Sequence, residues 1–255
     1  PIFCHRLYLF FTYSFVNLLL NAKKFRARGL TDKETDLKLV ERQKELDLLL
    51  ELLGAVRNGR GQIVLLTGEA GIGKSSLLSA LHQKVANEKP AIRSLSGGCE
   101  ALFTPRTLGP IFDMSAGLNV DIEKALQSER GLTTLYANVL AALDGPQPTI
   151  MVCEDLHWAD RATLDLIKFL ARRISLLPVL LILTIRDNEV GLSHPLTQVL
   201  GDLPGQITHR IALQPLSPRA VVQLAAKTGQ DGKAVHAITN GNPFFVSEML
   251  NAQSA

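Results

Sequence analysis

The sequence predicts an α/β fold in which an open, mostly parallel sheet of five strands carries helices on both faces. Two observations support this prediction. Apolar runs without polar alternation, typical of strands buried on both faces, alternate along the chain with segments whose leucines repeat at helical spacing. In addition, a glycine-rich turn joins the first of these runs to a helix, as at the start of a parallel strand, loop and helix unit.

Each element is predicted from one of these patterns. Helices are expected at residues 41–56, 74–88, 132–143 and 161–174. Strands are expected at residues 62–67, 92–95, 149–153, 178–185 and 207–213. The segment between the second strand and the third helix is expected to be a loop. In that third helix, the spacing predicts that the following leucines and valine face the core: Leu132, Leu135, Val139 and Leu143.

Composition and hydropathy divide the chain into three parts. With 255 residues and 46% apolar side chains, it can hold one domain and a fraction of another. Residues 37–213 are assigned to the sheet domain, and residues 214–255, which resemble short helices, to a truncated helical subdomain. Residues 1–36 are an apolar and then basic tail, whose apolar run is shorter than the roughly 20 residues of a membrane-spanning helix. A non-native extension is favoured for this tail, ahead of a membrane anchor or a helix that packs against a missing partner.

Charge and cysteine content limit the expected partners. The chain has 27 basic and 24 acidic residues, a net charge of +3, and no predicted element collects the basic side chains on one face. No nucleic-acid contact is therefore expected from this stretch, and membrane association is not favoured. Cys4, Cys99 and Cys153 lack the spacing of a zinc site or a disulfide framework, so a reducing, cytoplasmic compartment is expected.

The turn after the first predicted strand has the pattern of a phosphate-binding loop. Its sequence "GEAGIGKS", residues 68–75, fits G-x-x-x-x-G-K-S/T at every fixed position. In this motif the backbone N–H groups and the start of the following helix hold a polyphosphate. Lys74 is expected to reach the terminal phosphates and Ser75 to bind Mg²⁺, while Glu69 is interpreted as a solvated acid. The residues predicted to hold the nucleotide through this loop are Gly68, Glu69, Ala70, Gly71, Ile72, Gly73, Lys74, Ser75 and Ser76.

Two adjacent acids end the strand "TIMVC". Glu154 and Asp155 follow it directly, where enzymes with a phosphate loop supply an acid that holds Mg²⁺ and another that orients the attacking water. Ligands gather at the carboxyl ends of parallel strands, so these acids and the phosphate loop should meet in one crevice. A solvated strand end is the alternative, and the nearby loop favours the metal and water roles.

The residues that follow the acids are given separate interpretations. Asp160 is expected to cap the next helix, and Trp158 to pack against the core. His157 is interpreted as a loop histidine rather than a proton carrier, because no triad partner is identifiable.

Arg186 follows the next strand, at the same predicted edge of the sheet as the acids. We expect it to contact the γ-phosphate or to stabilise charge that develops there. The alternative is a surface arginine that pairs with Asp187 or Glu189. The GTPase pattern N/T-K-x-D is absent from the sequence, which favours ATP as the nucleotide.

These segments together resemble a known family. The blocks "LVERQKEL", "TGEAGIGKSSLL", "CEALFTPRTLGPIFDM", "EDLHWADRATLDLIKFLARRI", "TIRDNEVGLSHPL", "LQPLS" and "TNGNPFFVSEML" occur in family order. The chain is similar to the STAND branch of AAA+-like ATPases, in particular the ATPase module of large LuxR-type bacterial transcriptional regulators. The resemblance implies a P-loop NTPase fold with a helical lid, which binds ATP or ADP with Mg²⁺ and acts as a switch.

The resemblance also implies roles for individual residues. Val40 and Arg42 would border the adenine, and between them Glu41 stands where many relatives have glycine. Glu154 would take the metal-side position and Asp155 the water-orienting position. Arg186 would be the sensor arginine. In the lid, Pro243 of Gly241-Asn242-Pro243 would pack near the nucleotide.

Three functional hypotheses follow. The leading one is a slowly ATP-hydrolysing switch module of a signalling or transcription regulator, whose partners are ATP, downstream domains and other copies of itself. The second is a nucleotide-binding interaction module with little turnover. The third is a small-molecule kinase with a phosphate loop, which would need an acceptor pocket.

Overall fold

Five parallel strands form one sheet, and this confirms the predicted fold class. The computed structural model describes residues 39–102, 104, 106–191 and 193–252, so the predicted tail 1–36 lies outside the described residues. The strands are β1 (Gln62–Thr67), β2 (Arg93–Gly98), β3 (Thr149–Glu154), β4 (Val179–Ile185) and β5 (Thr208–Ala212). Their order is β2-β3-β4-β1-β5, and every adjacent pair is parallel.

The burial of each strand reflects its position in the sheet. All seven residues of the central strand β4 are buried, and β1 and β3 are buried over most of their length. These continuous apolar runs are covered by helices on both faces, as a parallel sheet requires. The edge strands β2 and β5 mix buried and exposed residues. Because Thr67 pairs with Ile185, and Cys153 with Leu183, the carboxyl ends of β1, β3 and β4 lie along one edge.

Helices cover the two faces of the sheet unequally. The helices of this domain are α1 (Gln43–Arg57), α2 (Lys74–Val85), α3 (Gly109–Leu118), α4 (Ile122–Gln127), α5 (Leu132–Leu143), α6 (Arg161–Ala171) and α7 (Pro195–Gly201). The first two helices pack on the face that carries Val64 and Ile182. The other five pack on the face that carries Ile63 and Leu181. The side chains of successive strand residues therefore pack into two separate hydrophobic cores, one on each face of the sheet.

Helices α3 and α4 replace the loop that was expected between β2 and α5, and α7 was not predicted either. The glycines and the proline of α3 favour turns in sequence-based reasoning. In the structure Pro110 occupies the first turn of α3, where a missing N–H costs little. Gly117 lies against Leu95, so closely that a Cβ at this position would be 2.5 Å from the Cδ2 of Leu95. Gly117 therefore lets α3 approach β2 closely.

The inward orientation predicted for Leu132 is wrong. Leu135, Val139 and Leu143 are fully buried, whereas Leu132 is 41% exposed. Leu132 is the first residue of α5, and the buried face of the helix begins one turn later at Leu135. Helical spacing identifies a face, but it does not show how far along the helix that face remains covered.

Three short helices follow β5 and form a small core of their own. We call α8 (Pro218–Ala226), α9 (Gly232–Thr239) and α10 (Pro243–Ala252) the lid helices. Their core includes Val221, Val235 and Val246. The boundary between residues 213 and 214 stays a prediction. Within the described part of the chain, no helix has the length and apolar character needed to cross a membrane.

The two ends of the predicted apolar face of α5 provide a stability test. Leu135→Ala should lower the free energy of unfolding by about 2–5 kcal/mol, because it leaves a cavity in a fully packed core. Leu132→Ala should change it by less than about 0.5 kcal/mol, since this side chain already contacts water. Urea denaturation followed by circular dichroism measures both values. Equal losses in the two variants would contradict the orientation of α5.

Candidate functional site

The loop between β1 and α2 leaves an open concavity in front of α2. Gly73, the last residue before this helix, has a φ of +102°, a conformation that strongly favours glycine. A Cβ at Gly73 would have no described heavy atom within 4 Å, so it would project into open space. No described side chain caps α2, and the first N–H groups of a helix have no partner within the helix itself. Such an arrangement suits an anion such as phosphate.

Lys74 lies inside the loop rather than extending into solvent. Its side chain is largely buried, and the ammonium donates hydrogen bonds to the carbonyl oxygens of Gly68 at 2.6 Å and Glu69 at 3.0 Å. Burial lowers the pKa of Lys74, and the nearby carboxylate of Asp155 opposes this shift. An ammonium has three donors, so one remains for a ligand. The Glu69 side chain is exposed, as expected of a solvated loop acid.

Ser75 and Glu154 come together across the sheet edge. The Ser75 hydroxyl lies 3.4 Å from Oε2 of Glu154, and the Ser96 hydroxyl on β2 lies 3.3 Å from Oε1. A hydroxyl and a carboxylate oxygen at this separation fit Mg²⁺, which binds through few protein oxygens and takes further ligands from phosphate and water. Sequence analysis missed Ser96, because only the pairing of β2 with β3 brings it to Glu154.

Asp155 turns away from its neighbour Glu154. Its φ of +53° lies in the left-handed region, which aspartate tolerates better than most residues. The backbone N–H of Asp155 donates to the hydroxyl of Thr184 on β4 at 2.9 Å, which holds this conformation. Its carboxylate lies 3.4 Å from Nε of Arg186. The two adjacent acids therefore have different surroundings, one near Ser75 and the other near Arg186.

Arg186 is held by acids in the structure. Its Nη1 donates to Oε1 of Glu189 at 3.0 Å, and its guanidinium lies over the ring of Trp158 at 4.4 Å from the centroid. Of the pairings considered in the sequence analysis, the one with Glu189 is present together with a contact to Asp155. The guanidinium thus lies at the same edge of the sheet as the phosphate loop, and it already forms ion pairs with two carboxylates.

His157 is buried in a 3₁₀ turn (Leu156–Trp158), unlike the loop histidine that was expected. Its side chain is only 1% exposed, and burial lowers its pKa. Nδ1 accepts a hydrogen bond from the backbone N–H of Arg186 at 3.4 Å, so in the neutral ring Nε2 carries the proton. Nε2 makes no hydrogen bond with the described residues and lies 3.4 Å from Oε2 of Glu189.

Two neighbouring residues have the roles predicted for them. Asp160 caps α6 by accepting hydrogen bonds from the N–H groups of Ala162 and Thr163. It also accepts a hydrogen bond from the N–H of Leu108, so it fixes the start of α3 as well. Trp158 packs against the core of this face of the sheet.

Arg42 connects the phosphate loop to the segment after β5. Its side chain is buried and donates hydrogen bonds to the carbonyl oxygens of Ile72 and Gln214. Val40 packs against the core of the lid helices. The adenine-bordering role of Val40 and Arg42 stays a prediction, and the described contacts of Arg42 are with the main chain.

Glu41 makes a contact that the sequence did not indicate. Its φ of +56° lies in the left-handed region, which favours glycine. Glycine is the residue that the resemblance gave for this position in many relatives. Its carboxylate accepts hydrogen bonds from the N–H of Ser217 at 2.8 Å and from the hydroxyl of Ser217 at 2.6 Å. Ser217 caps α8, so this contact joins the segment before α1 to the first lid helix.

The lid helices touch the phosphate loop directly. The side chain of Asn242 donates to the carbonyl oxygen of Ala70 at 3.0 Å, and the N–H of Phe244 donates to that of Gly71 at 3.2 Å. A Cβ at Gly71 would lie 2.7 Å from the Cβ of Phe244, so this glycine permits the approach. Pro243 lies between these two contacts, at the start of α10.

Comparison with known families gives one match that covers more than half of the chain. The family described as "AAA ATPase domain" matches residues 38–182. An uncharacterized protein of Rhizobium meliloti (strain 1021) is 26% identical over 257 aligned residues, which cover 83% of this chain and 24% of that protein. The chain therefore spans about a quarter of the length of this curated relative.

Solved structures resemble the fold at low sequence identity. The Aeropyrum pernix ORC1 protein, solved in complex with DNA, is 18% identical with a TM-score of 0.51 over 73% of this chain and 48% of that chain. RuvB of Thermotoga maritima is 16% identical with a TM-score of 0.46 over 82% of this chain and 59% of that chain. At this identity the likeness to ORC1 shows the fold alone.

The contact between Glu41 and Ser217 predicts a pH dependence of stability. Hydrogen bonds from the hydroxyl and then the N–H of Ser217 lower the pKa of Glu41 below its ordinary value of 4.5. A carboxylate with a lowered pKa in the folded state stabilises the protein above its unfolded pKa, and this contribution is lost as the pH falls through the folded value. Glu41→Gln should therefore be less stable than wild type at pH 7, with a difference that shrinks below about pH 4.5.

Urea unfolding midpoints of the two proteins, measured from pH 7 to pH 3, check this expectation. The matched control is Glu51→Gln, which changes an exposed carboxylate on α1. We expect its difference from wild type to stay small at every pH. A difference for Glu41→Gln that stays constant over the whole range would contradict the assigned interaction.

Proposed function

The chain belongs to the AAA ATPase domain family, and we propose that it is a slowly ATP-hydrolysing switch module of a larger signalling or transcription regulator. One observation carries the proposal. The phosphate loop, Lys74, the Ser75–Glu154 pair and the Asp155–Arg186 pair meet at one edge of the sheet, and the lid helices rest on the loop.

The loop residues would bind the polyphosphate. The open concavity at Gly73 and the first N–H groups of α2 would surround the phosphates, with the Lys74 ammonium near the terminal ones. Ser75 and Glu154 would hold Mg²⁺, and bound Mg²⁺ would neutralise charge on the phosphate oxygens. The longer side chain of Glu154 is compatible with a metal-binding role, because its carboxylate reaches the Ser75 hydroxyl.

Asp155 and Arg186 would act on the reacting end of the nucleotide. Asp155, held in a left-handed conformation by Thr184, would orient the attacking water by accepting a hydrogen bond from it, and would take its proton as the water attacks. Arg186 would contact the γ-phosphate, where a guanidinium stabilises the charge of the transition state. In the structure these two side chains contact each other, with Nε of Arg186 3.4 Å from the Asp155 carboxylate.

The lid would transmit the nucleotide state. Asn242 and Phe244 bind the carbonyl groups of the loop, and Arg42 binds both the loop and the segment that leads into the lid. A change in the loop upon phosphate release would therefore alter contacts of α10. The resemblance to the STAND ATPase modules of LuxR-type regulators supports downstream domains as the partners, with self-association as a further one. The expected compartment is cytoplasmic.

A nucleotide-holding module with little turnover is the second candidate, favoured by one observation. Arg186 is paired both with Asp155, the other residue assigned to hydrolysis, and with Glu189. Extraction of nucleotide from the purified protein, followed by a single-turnover assay, separates the candidates. Bound ADP with no measurable phosphate release over hours would favour the second one.

Lys74→Ala tests the nucleotide site. We expect ATP affinity to fall at least about tenfold, because charge-assisted hydrogen bonds to the phosphates are lost. Isothermal titration calorimetry with Mg-ATP gives the affinity. Lys84→Ala, on the exposed side of the same helix, removes an equal charge and should bind like wild type. Unchanged affinity in Lys74→Ala would exclude this loop as the ATP site.

Asp155→Asn tests the chemical step. The variant should bind Mg-ATP with near wild-type affinity but release phosphate about a hundredfold more slowly, since an amide is a poor proton acceptor. A single-turnover phosphate assay measures the rate. Asp165→Asn, an exposed change on α6, is the control and should keep the wild-type rate. Equal rates in wild type and Asp155→Asn would remove Asp155 from the reaction.

A further inference from the structure

We propose that Glu189 competes with the γ-phosphate of ATP for Arg186, and that it thereby sets the preference of the site between ATP and ADP. The inference rests on the proposed function, in which Arg186 contacts the γ-phosphate. It adds a residue that specifies which nucleotide the site prefers.

The first step is the chemistry of Arg186. Its guanidinium is a planar fork that binds a carboxylate or a phosphate through parallel N–H groups. In the structure one N–H group donates to Glu189 at 3.0 Å, Nε lies 3.4 Å from Asp155, and one face stacks on Trp158. These contacts engage Nη1, Nε and one face, whereas Nη2 makes no hydrogen bond with the described residues. A γ-phosphate that binds Nη1 and Nη2 in parallel therefore competes with Glu189 for Nη1.

The second step is that Glu189 is fixed, unlike most acids in surface ion pairs. It belongs to a 3₁₀ turn (Asp187–Glu189), and its backbone N–H donates to the carbonyl oxygen of Arg186 at 3.1 Å. While Oε1 accepts from Arg186, Oε2 lies 3.4 Å from the buried Nε2 of His157. Nε2 makes no hydrogen bond with the described residues, and of the two carboxylates near it Glu189 is the closer, at 3.4 Å against 4.0 Å for Asp155.

The third step separates Glu189 from its neighbour Asp187. The carboxylates of Asp187 and Glu189 each act to raise the pKa of Lys74, so both influence the phosphate loop electrostatically. Among the described residues, only Glu189 and Asp155 form ion pairs with Arg186. Asp187 therefore offers a matched control, because its neutralisation changes the general field without releasing Arg186.

The consequence is selective for the γ-phosphate. Displacement of Glu189 opposes the binding of ATP, whereas ADP has no γ-phosphate and leaves the Arg186–Glu189 pair intact. A ligand shifts such an equilibrium only through its different affinity for the two arrangements. Removal of Glu189 should thus favour ATP over ADP, in addition to the general effect of a lost negative charge, which acts on both nucleotides.

Calorimetric titration of the full chain with Mg²⁺ and either ADP or a non-hydrolysable ATP analogue tests the proposal. In Glu189→Gln, we expect the ratio of analogue affinity to ADP affinity to rise about two- to fivefold relative to wild type. Asp187→Asn should give a smaller change in the ratio of the two affinities. Arg186→Ala should weaken the analogue, and Glu189→Gln added to it should have no further effect.

Three results would overturn the proposal: equal tightening of both nucleotides in Glu189→Gln, the same gain in Asp187→Asn, or a gain that persists in the Arg186→Ala background. Retained ADP binding shows that each variant is folded. If wild type binds both nucleotides and Glu189→Gln has no effect, this inference alone fails. If wild type binds neither nucleotide, the proposed function fails with it.

Discussion

The conformation of the phosphate loop depends on hydrogen bonds to its own carbonyl groups. Five successive carbonyls, those of residues 68–72, accept hydrogen bonds from Lys74, Asn242, the N–H of Phe244 and Arg42. A carbonyl buried without a partner costs about as much as a lost hydrogen bond, so these donors stabilise one loop conformation. The donors come from the segment before α1, from α2 and from the lid. Three parts of the chain, two of them distant from the loop in sequence, thus meet at five residues of main chain.

This arrangement gives the proposed switch a physical basis. The lid cannot leave the loop without exchanging the hydrogen bonds of Asn242 and Phe244, and the bond between Glu41 and Ser217 opposes the same movement at α8. Coupling between a nucleotide and a distant domain requires an element with two arrangements that the ligand favours differently. The loop and the lid, joined through these few polar contacts, form such an element in the proposed function.

A second constraint acts where β3 and β4 end. Because the strands are parallel and in register, Glu154, Asp155 and Arg186 emerge at one edge. The left-handed conformation of Asp155 then directs the two acids to different partners, Glu154 toward Ser75 and Asp155 toward Arg186. The sequence indicated that these residues would be close together. It indicated Glu189 only as one of two alternative partners of Arg186, and it did not indicate that His157 would join the cluster, since this approach depends on a 3₁₀ turn after each strand.

The sequence by itself determined the sheet, its parallel strands, the phosphate loop and the cap at Asp160, because each is encoded in hydrophobic period or in a motif of neighbouring residues. Only the tertiary structure decided the rest. Helix α3 contradicts its local glycine and proline signals because Gly117 packs against Leu95, and Leu132 is exposed because the core begins one turn later. The contact of Glu41 with Ser217 joins residues 176 positions apart, and no local pattern encodes a pairing at that distance.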